Sequence, residues 1–232
     1  MKQTVDMHAK GAGTVSGLMP DFNAVPFEVN KAPMYAFSKR VFDIVVGAII
    51  VILLIPILPL VALMIKLDTS GPVFFKQDRV GENGKKFKFY KFRSMVHRAE
   101  DSQERLSGRN EQEGPVFKIR SDPRITTVGR FLRRSSLDEI PQMFNVLKGD
   151  MSIVGPRPPL PGEVANYQPW HMSRLSVKPG ITCLWQISGR NHIGFNEWMR
   201  LDLEYLKTRS FKTDLLIFLK TIPAVIARKG AY

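Results

Sequence analysis

Ile44-Val45-Val46-Gly47-Ala48-Ile49-Ile50-Val51-Ile52-Leu53-Leu54-Ile55-Pro56-Ile57-Leu58-Pro59-Leu60-Val61-Ala62-Leu63-Met64-Ile65 decides how this chain is built. The run is 22 residues long and carries no charge. As one helix it would measure about 33 Å at about 1.5 Å per residue, against a bilayer core of about 30 Å. A helix of a soluble core rarely runs that far without a polar face. Lys39 and Arg40 precede the run, and Lys66, Lys76 and Arg79 follow it. Basic flanks are retained on the cytoplasmic side, so both ends are drawn to the same side. Pro56 and Pro59 sit inside the run, where a proline removes a hydrogen bond and bends the axis. A broken helix that enters one leaflet and returns, and a simple crossing, both satisfy these facts. Under either, the part beyond Lys66 lies on the cytoplasmic face.

Outward from this run the chain divides into three expected parts. Residues 1–36, with six Gly and Pro among small and polar residues, read as a mobile tail. Residues 37–67 form the membrane helix, and 68–232 a cytoplasmic domain. The whole chain carries 34 basic and 21 acidic residues, a formal charge of +13. Such an excess draws phosphate-rich partners: nucleotides, anionic lipid heads or nucleic acid. The lone Cys183 excludes an intrachain disulfide and suits a reducing compartment, as a buried apolar residue. No Cys/His cluster has metal-ligand spacing.

Val73–Val80 and Phe87–Arg93 read as a β-hairpin around Gly81-Glu82-Asn83-Gly84, whose Asn-Gly pair suits positive φ. Alternation puts Phe87, Phe89, Lys91 and Arg93 on one face. Lys91 and Arg93 would then project side by side and could grip one phosphate. Residues 97–114 read as an exposed helix and loop, and Val116–Ile119 as a short strand. Glu197–Arg209 reads as an amphipathic helix. Leu215–Ile226 is apolar but too short to span, and fits an amphipathic segment in the membrane interface.

Ser135-Ser136-Leu137-Asp138-Glu139-Ile140-Pro141-Gln142 places two adjacent carboxylates in a basic chain, after Arg130, Arg133 and Arg134. Ser136 and Glu139 have the spacing of a capping box. Pro141 leaves the Leu137 carbonyl without a helical donor, so a helix starts or bends here. That sets both carboxylates at a helix N-terminus, an environment suited to anions. One carboxylate could attack phosphorus while the other holds a divalent ion, with Mg²⁺ the natural choice. Arg157, fixed between prolines in Gly155-Pro156-Arg157-Pro158-Pro159, loses little freedom on binding a phosphate.

The sequence resembles the bacterial monotopic phosphoglycosyl transferases, the polyprenyl-phosphate sugar-phosphate transferase family. The resemblance is carried by Lys39-Arg40-Val41-Phe42-Asp43, Lys91-Phe92-Arg93-Ser94-Met95, Asp122-Pro123-Arg124, the Ser136–Gln142 stretch, Gly155-Pro156-Arg157-Pro158 and Trp185-Gln186-Ile187-Ser188-Gly189-Arg190. It covers residue 38 to the C-terminus. The ending Lys220-Thr221-Ile222-Pro223-Ala224-Val225 is similar to the exopolysaccharide-production branch, with its galactosyl- and glucosyl-phosphate transferases.

This resemblance implies an α+β, mainly helical fold: a re-entrant membrane helix hairpin bent at Pro56, then a small cytoplasmic catalytic domain with interfacial amphipathic helices. It implies a bacterial inner-membrane enzyme that moves hexose-1-phosphate from a UDP-sugar to undecaprenyl phosphate. Asp138 would be the nucleophile and Glu139 the Mg²⁺ ligand. Arg157 and Arg190 would hold the donor phosphates. Lys91, Arg93 and Arg133 would assist in binding, and Asp202 and Asp214 would support the site. Many relatives carry Ser before the bending proline, where this chain has Ile55. Membrane lipid is an expected partner and nucleic acid is not; a homodimer is left open. A basic membrane-anchored binding protein without enzymatic activity is the alternative, and it leaves the acid pair unexplained.

Overall fold

The computed structural model describes residues 29–188 and 193–226. Helices dominate, with four short strands among the described residues. Helix α1 spans Pro33–Leu54 and α2 spans Leu58–Asp68, with a bend of 64° between them. No single described helix is long and apolar enough to cross a membrane; the bent pair meets that criterion only together. Pro56 lies in the break and has no N–H to offer the Ile52 carbonyl. Ile57 N instead reaches only three residues back, to Leu54 O at 2.9 Å. Pro59 sits in the first turn of α2, where no donor is required. The two prolines thus act differently: one ends a helix and the other starts the next. The helix begins at Pro33 rather than at residue 37, for the same reason that a first turn tolerates proline.

Half of α1 belongs to the domain core. Tyr35, Lys39, Asp43 and Gly47, spaced four apart, form its buried stripe. Lys39 Nζ donates to Val154 O and to Asp214 Oδ2, both at 2.9 Å. Asp43 Oδ1 accepts from Ser152 Oγ and from Ile153 N, both at 2.9 Å. Arg40 caps a neighbouring helix end through the carbonyls of Val146 and Leu147. Around the bend the side chains turn outward: Ile49, Ile52, Leu53, Ile55, Leu60 and Leu63 are each exposed by half or more. On α2 only Val61 and Ile65 are buried, against Phe92 and Leu132.

Strands β1 (Phe74–Val80) and β2 (Lys86–Phe92) pair antiparallel from Phe74↔Phe92 to Val80↔Lys86. The turn between them uses positive φ at Asn83 and Gly84, as the Asn-Gly pair predicts. Helices α3 (Thr127–Arg134) and α4 (Gln142–Lys148) flank a short 3₁₀ turn at Leu137–Glu139. Strands β3 (Ser152–Val154) and β4 (Gly180–Thr182) pair in parallel. Between them lie α5 (Pro161–Val164) and α6 (Pro169–Met172). The chain continues with α7 (Leu184–Ile187), α8 (Phe195–Thr208) and α9 (Phe211–Ile226). The main core joins Phe87 and Phe89 of β2, Val146 of α4, Ile153 and Val154 of β3, Leu206 of α8 and Ile217 of α9, with Phe42 and Val46 of α1 against it.

Two local expectations need correction. Val116–Ile119 forms no strand; Val116 and Ile119 are buried by packing instead, and the backbone is held by Asn110, whose Oδ1 accepts from Lys118 N at 2.8 Å. The segment read as an exposed helix is two 3₁₀ stretches, Ala99–Ser102 and Glu104–Arg109. Helix α9 turns Asp214 and Ile217 inward, while Leu215, Leu216, Leu219 and Ile222 stay exposed on the outer side. That division gives α9 the amphipathic character expected from its sequence.

Candidate active site

A cleft of about 910 Å³ lies over the hairpin and gathers Lys91, Arg133, Asp138, Glu139 and Arg157. Asp138 and Glu139 occupy the 3₁₀ turn ahead of α4. Asp138 is 5% exposed. Lys91 Nζ donates to Glu139 Oε1 at 2.7 Å and lies 3.6 Å from Asp138 Oδ2. Burial pushes the Asp138 carboxyl above the usual carboxylate range; Lys91 opposes this, Glu139 reinforces it and Arg133 opposes it. Arg133 Nε donates to Ser94 Oγ at 2.9 Å.

The capping box does not form. Ser136 has φ 56°, in the left-handed region, and its side chain makes no capping bond. The Glu139 carboxylate is drawn to Lys91, whose charge outcompetes a backbone amide. The turn closes by backbone bonds instead, Glu139 N to Ser136 O and Ile140 N to Leu137 O.

Arg93 does not project beside Lys91 as a phosphate grip. Its guanidinium turns to the C-terminal end of α2 and donates to the carbonyls of Ser70, Thr69 and Ile65. Unpaired helix carbonyls carry partial negative charge, so a strand-end arginine beside them is captured. Arg93 therefore ties α2 to the hairpin.

The Pro156–Pro159 loop is pinned at every carbonyl. Pro156 O accepts from Gly180 N at 2.9 Å, and Pro159 O from Val80 N at 2.9 Å. Arg157 O accepts from Arg174 Nη2 at 2.9 Å, and Pro158 O from Arg79 Nη1 at 3.0 Å. Three of these four residues are prolines with no N–H of their own, so the loop's backbone is fixed chiefly through its oxygens. A Cβ at Gly180 would collide with Gly155 backbone, which is why glycine stands where the loop meets β4. Arg157 extends from this frame over the Trp198 ring at 5.6 Å, with Nη1 3.7 Å from Glu163 Oε1.

Asp202 is fully buried and 2.7 Å from Arg174 Nη2. Burial lifts its pKa to about 6, against the pull of Arg174. Arg174 also donates to Tyr167 Oη at 2.6 Å. Asp202 thus acts on the loop through Arg174. Asp214 lies away from the cleft, where it accepts from Tyr35 Oη at 2.8 Å, Lys39 Nζ at 2.9 Å and Tyr205 Oη at 2.7 Å. It joins α9 to α1. Arg190 lies outside the described residues.

Arg79, Glu163 and Arg174 escaped the sequence reading. Arg79 had a usable signal: β1 alternation puts Phe75, Gln77 and Arg79 on one face, the same face as their register partners Lys91, Phe89 and Phe87. Arg174 and Glu163 sit in short, irregular segments without periodicity, and no local pattern marks them.

Comparison with known proteins fits this picture. The sequence model described as "Bacterial sugar transferase" matches residues 34–228. The exopolysaccharide production protein ExoY of Rhizobium meliloti (strain 1021) is 38% identical over 204 residues, covering 86% of this chain and 90% of ExoY. The galactosyl transferase CpsE of Streptococcus agalactiae serotype III (strain NEM316) is 46% identical over 198 residues, 85% of this chain and 44% of CpsE. The undecaprenyl-phosphate galactose phosphotransferase of Salmonella typhimurium (strain LT2) is 44% identical over 201 residues, 84% of this chain and 42% of that protein. The chain therefore spans nearly all of one relative and less than half of the two others. With the family model covering most of its length, this chain belongs to the bacterial sugar transferase family.

Proposed function

We propose that this protein transfers hexose-1-phosphate from a UDP-hexose, galactose or glucose, to undecaprenyl phosphate at the inner face of the bacterial cytoplasmic membrane. The observation that carries the reading is Asp138: a buried carboxylate beside Glu139 and Lys91, in a cleft that also holds Arg133 and Arg157. The names of CpsE and of the Salmonella relative support the hexose and the lipid acceptor. The bent α1–α2 pair, with its apolar apex, supports re-entry into one leaflet.

In this reading Asp138 Oδ attacks the β-phosphorus of the donor, and the bond to the bridging oxygen breaks. UMP leaves with that oxygen, and the hexose phosphate stays on Asp138. A phosphate oxygen of the lipid then attacks the same phosphorus and frees the carboxylate, giving the lipid-diphospho-hexose. No proton needs to change hands. Asp138 must be ionised to attack; Lys91 and Arg133 favour that form against the cost of burial. Arg157, preset by the pinned loop, holds the donor phosphates with little loss of freedom.

The donor chemistry suits Mg²⁺. Glu139 offers a hard oxygen ligand, and substrate phosphates would join it in a set that Mg²⁺ commonly shares with water. Among the described residues no group of three acidic, His or Cys side chains converges. When bound, the ion would offset negative charge on the departing phosphate. The test is UMP release by membranes containing the protein, across a panel of UDP-sugars, with and without Mg²⁺. UMP from a UDP-hexose is expected, lost in Asp138→Asn. Full activity of that variant would remove Asp138 as nucleophile.

A further inference from the structure

The cleft is not uniform along its length. Strand β1 runs beside it, with Phe74, Phe75, Gln77 and Arg79 all lining it. Phe74 and Arg79 are separated by about 16 Å at about 3.3 Å per residue. The two ends differ in chemistry.

At the far end stand Arg79 and Arg157. Arg79 is buried, stacks over Phe89 at 5.2 Å and holds the Pro158 carbonyl. Burial, then the charge of Arg157, disfavours its cation, while Glu163 and Glu139 favour it. Counting these groups with Lys91, Arg133 and Asp138, four cations face three carboxylates. An anion bound between the two arginines relieves their mutual repulsion.

At the near end Pro72, Phe74, Phe75 and Val96 form an apolar rim, with His97 and Arg98 beside it. Phe74 and Val96 are each 43% exposed. Phe75 pairs in register with Lys91 and so shares its face, next to the acid pair. Its neighbour Phe74 points to the other face and stacks on Phe92, ring centroids 5.4 Å apart. Phe92 packs in turn on Val61 and Ile65 of α2. Two successive phenylalanines thus connect the apolar helix hairpin to the side chain that holds Asp138 and Glu139. Arg93, bonded to the end of α2, fixes this alignment.

We infer that the cleft is polarised along β1: the lipid-phosphate acceptor enters over the Phe74–Phe75–Val96 rim with its isoprenoid chain against α2, while Arg79 joins Arg157 in holding the donor diphosphate at the opposite end, and Asp138 lies between. The inference rests on the transferase reading above. It commits the apolar rim to the polyprenyl acceptor because the rim is continuous with the apolar helix hairpin at one side and with Lys91 at the other.

Two kinetic steps separate the ends. UMP formed without acceptor reports the donor step, and lipid-linked sugar formed from undecaprenyl phosphate in detergent micelles reports both. Phe75→Ala is expected to raise KM for undecaprenyl phosphate about 10-fold, as loss of much of one aromatic contact does, with acceptor-free UMP formation within about 2-fold of wild type. Phe75→Leu should recover most of the loss. Val96→Ser, at a half-exposed position, should act in the same direction if Phe75→Ala folds poorly. Arg79→Gln should do the opposite: KM for UDP-hexose up about 10-fold, with KM for the lipid little changed. In Arg79→Gln, inhibition by UDP should weaken far more than inhibition by uridine, which places the loss at the diphosphate. Equal effects of Phe75→Ala and Val96→Ser on both steps, or an Arg79→Gln defect confined to the lipid, would overturn the assignment alone. Wild-type protein that forms no UMP from any UDP-sugar would overturn the transferase reading, and this one with it.

Discussion

The acid turn and the proline loop face one another across the same cleft and are held in opposite ways. Asp138 and Glu139 are held by charge, chiefly through Lys91 at 3.6 and 2.7 Å. The Pro156–Pro159 loop is held by geometry, with each of its four carbonyls occupied by a donor. A charged contact can be exchanged for a substrate phosphate or a metal ion as the reaction proceeds. A pinned backbone cannot move without breaking several bonds together. The difference separates the group that reacts from the group that aligns.

The first way to break this comparison is at the nucleophile. Asp138→Asn should lower UMP formation by about 10⁴-fold or more, the scale seen when a covalent nucleophile is removed. Membrane attachment should persist. Thermal stability should hold or rise, because burial disfavours the native carboxylate. A large fall in Tm would mean that Asp138 is a structural residue.

The second is at the loop's buried support. Arg174→Met should destabilise the protein by about 3–5 kcal/mol, because Asp202 loses its buried partner and must either stay charged unpaired or take up a proton. Arg174→Met/Asp202→Leu should recover much of that loss in thermal unfolding while still raising KM for the UDP-sugar. Recovery of KM together with stability would show that the Arg157 carbonyl needs no buried donor.

A third, smaller effect sharpens the charge side. Glu139→Gln removes the partner of Lys91 and is expected to raise the Mg²⁺ concentration for half-maximal activity about 10-fold, read from a metal titration. Unchanged metal dependence would take Glu139 out of the ion's site.

The smallest expected effect is a shift in pH profile. Asp138 titrates above the ordinary carboxylate value of about 3.9, so the rate should fall on acidification at a higher pH than for an exposed aspartate. Glu139→Gln removes a charge that raises the Asp138 pKa, and so moves this limb to lower pH. Lys91→Met removes one that lowers it, and moves the limb up. The sign for stability follows: the native state binds this proton more tightly than the unfolded state, so the contribution of Asp138 falls as pH rises from the unfolded value through the native one. Movement of the limb in the opposite directions would place another group at the origin of the profile.

Much of the architecture was legible from spacing alone. The charge-free run with its prolines announced a bent apolar helix, and Asn83-Gly84 announced the hairpin, because both signals are local. The acid pair stood out for its setting among arginines. What stayed hidden was partnership across distance. Ser136 and Glu139 have capping-box spacing, yet Lys91 from another element takes the glutamate. Arg93 has strand spacing with Lys91, yet the carbonyls at the end of α2 take the guanidinium. Arg174 has no local signature, since its partners are Tyr167, Asp202 and the Arg157 carbonyl. Local pattern predicts elements; competition among charges in three dimensions decides which side chains remain for substrate.

The central claim is that Asp138 carries the hexose phosphate between two half-reactions. Incubation with a labelled UDP-hexose and Mg²⁺, without lipid acceptor, followed by acid quench and peptide mass analysis, tests it directly. The account predicts one hexose phosphate on Asp138, equal in amount to the UMP released and discharged when undecaprenyl phosphate is added. UMP that forms only when the lipid is present, with Asp138 unlabelled throughout, would contradict it.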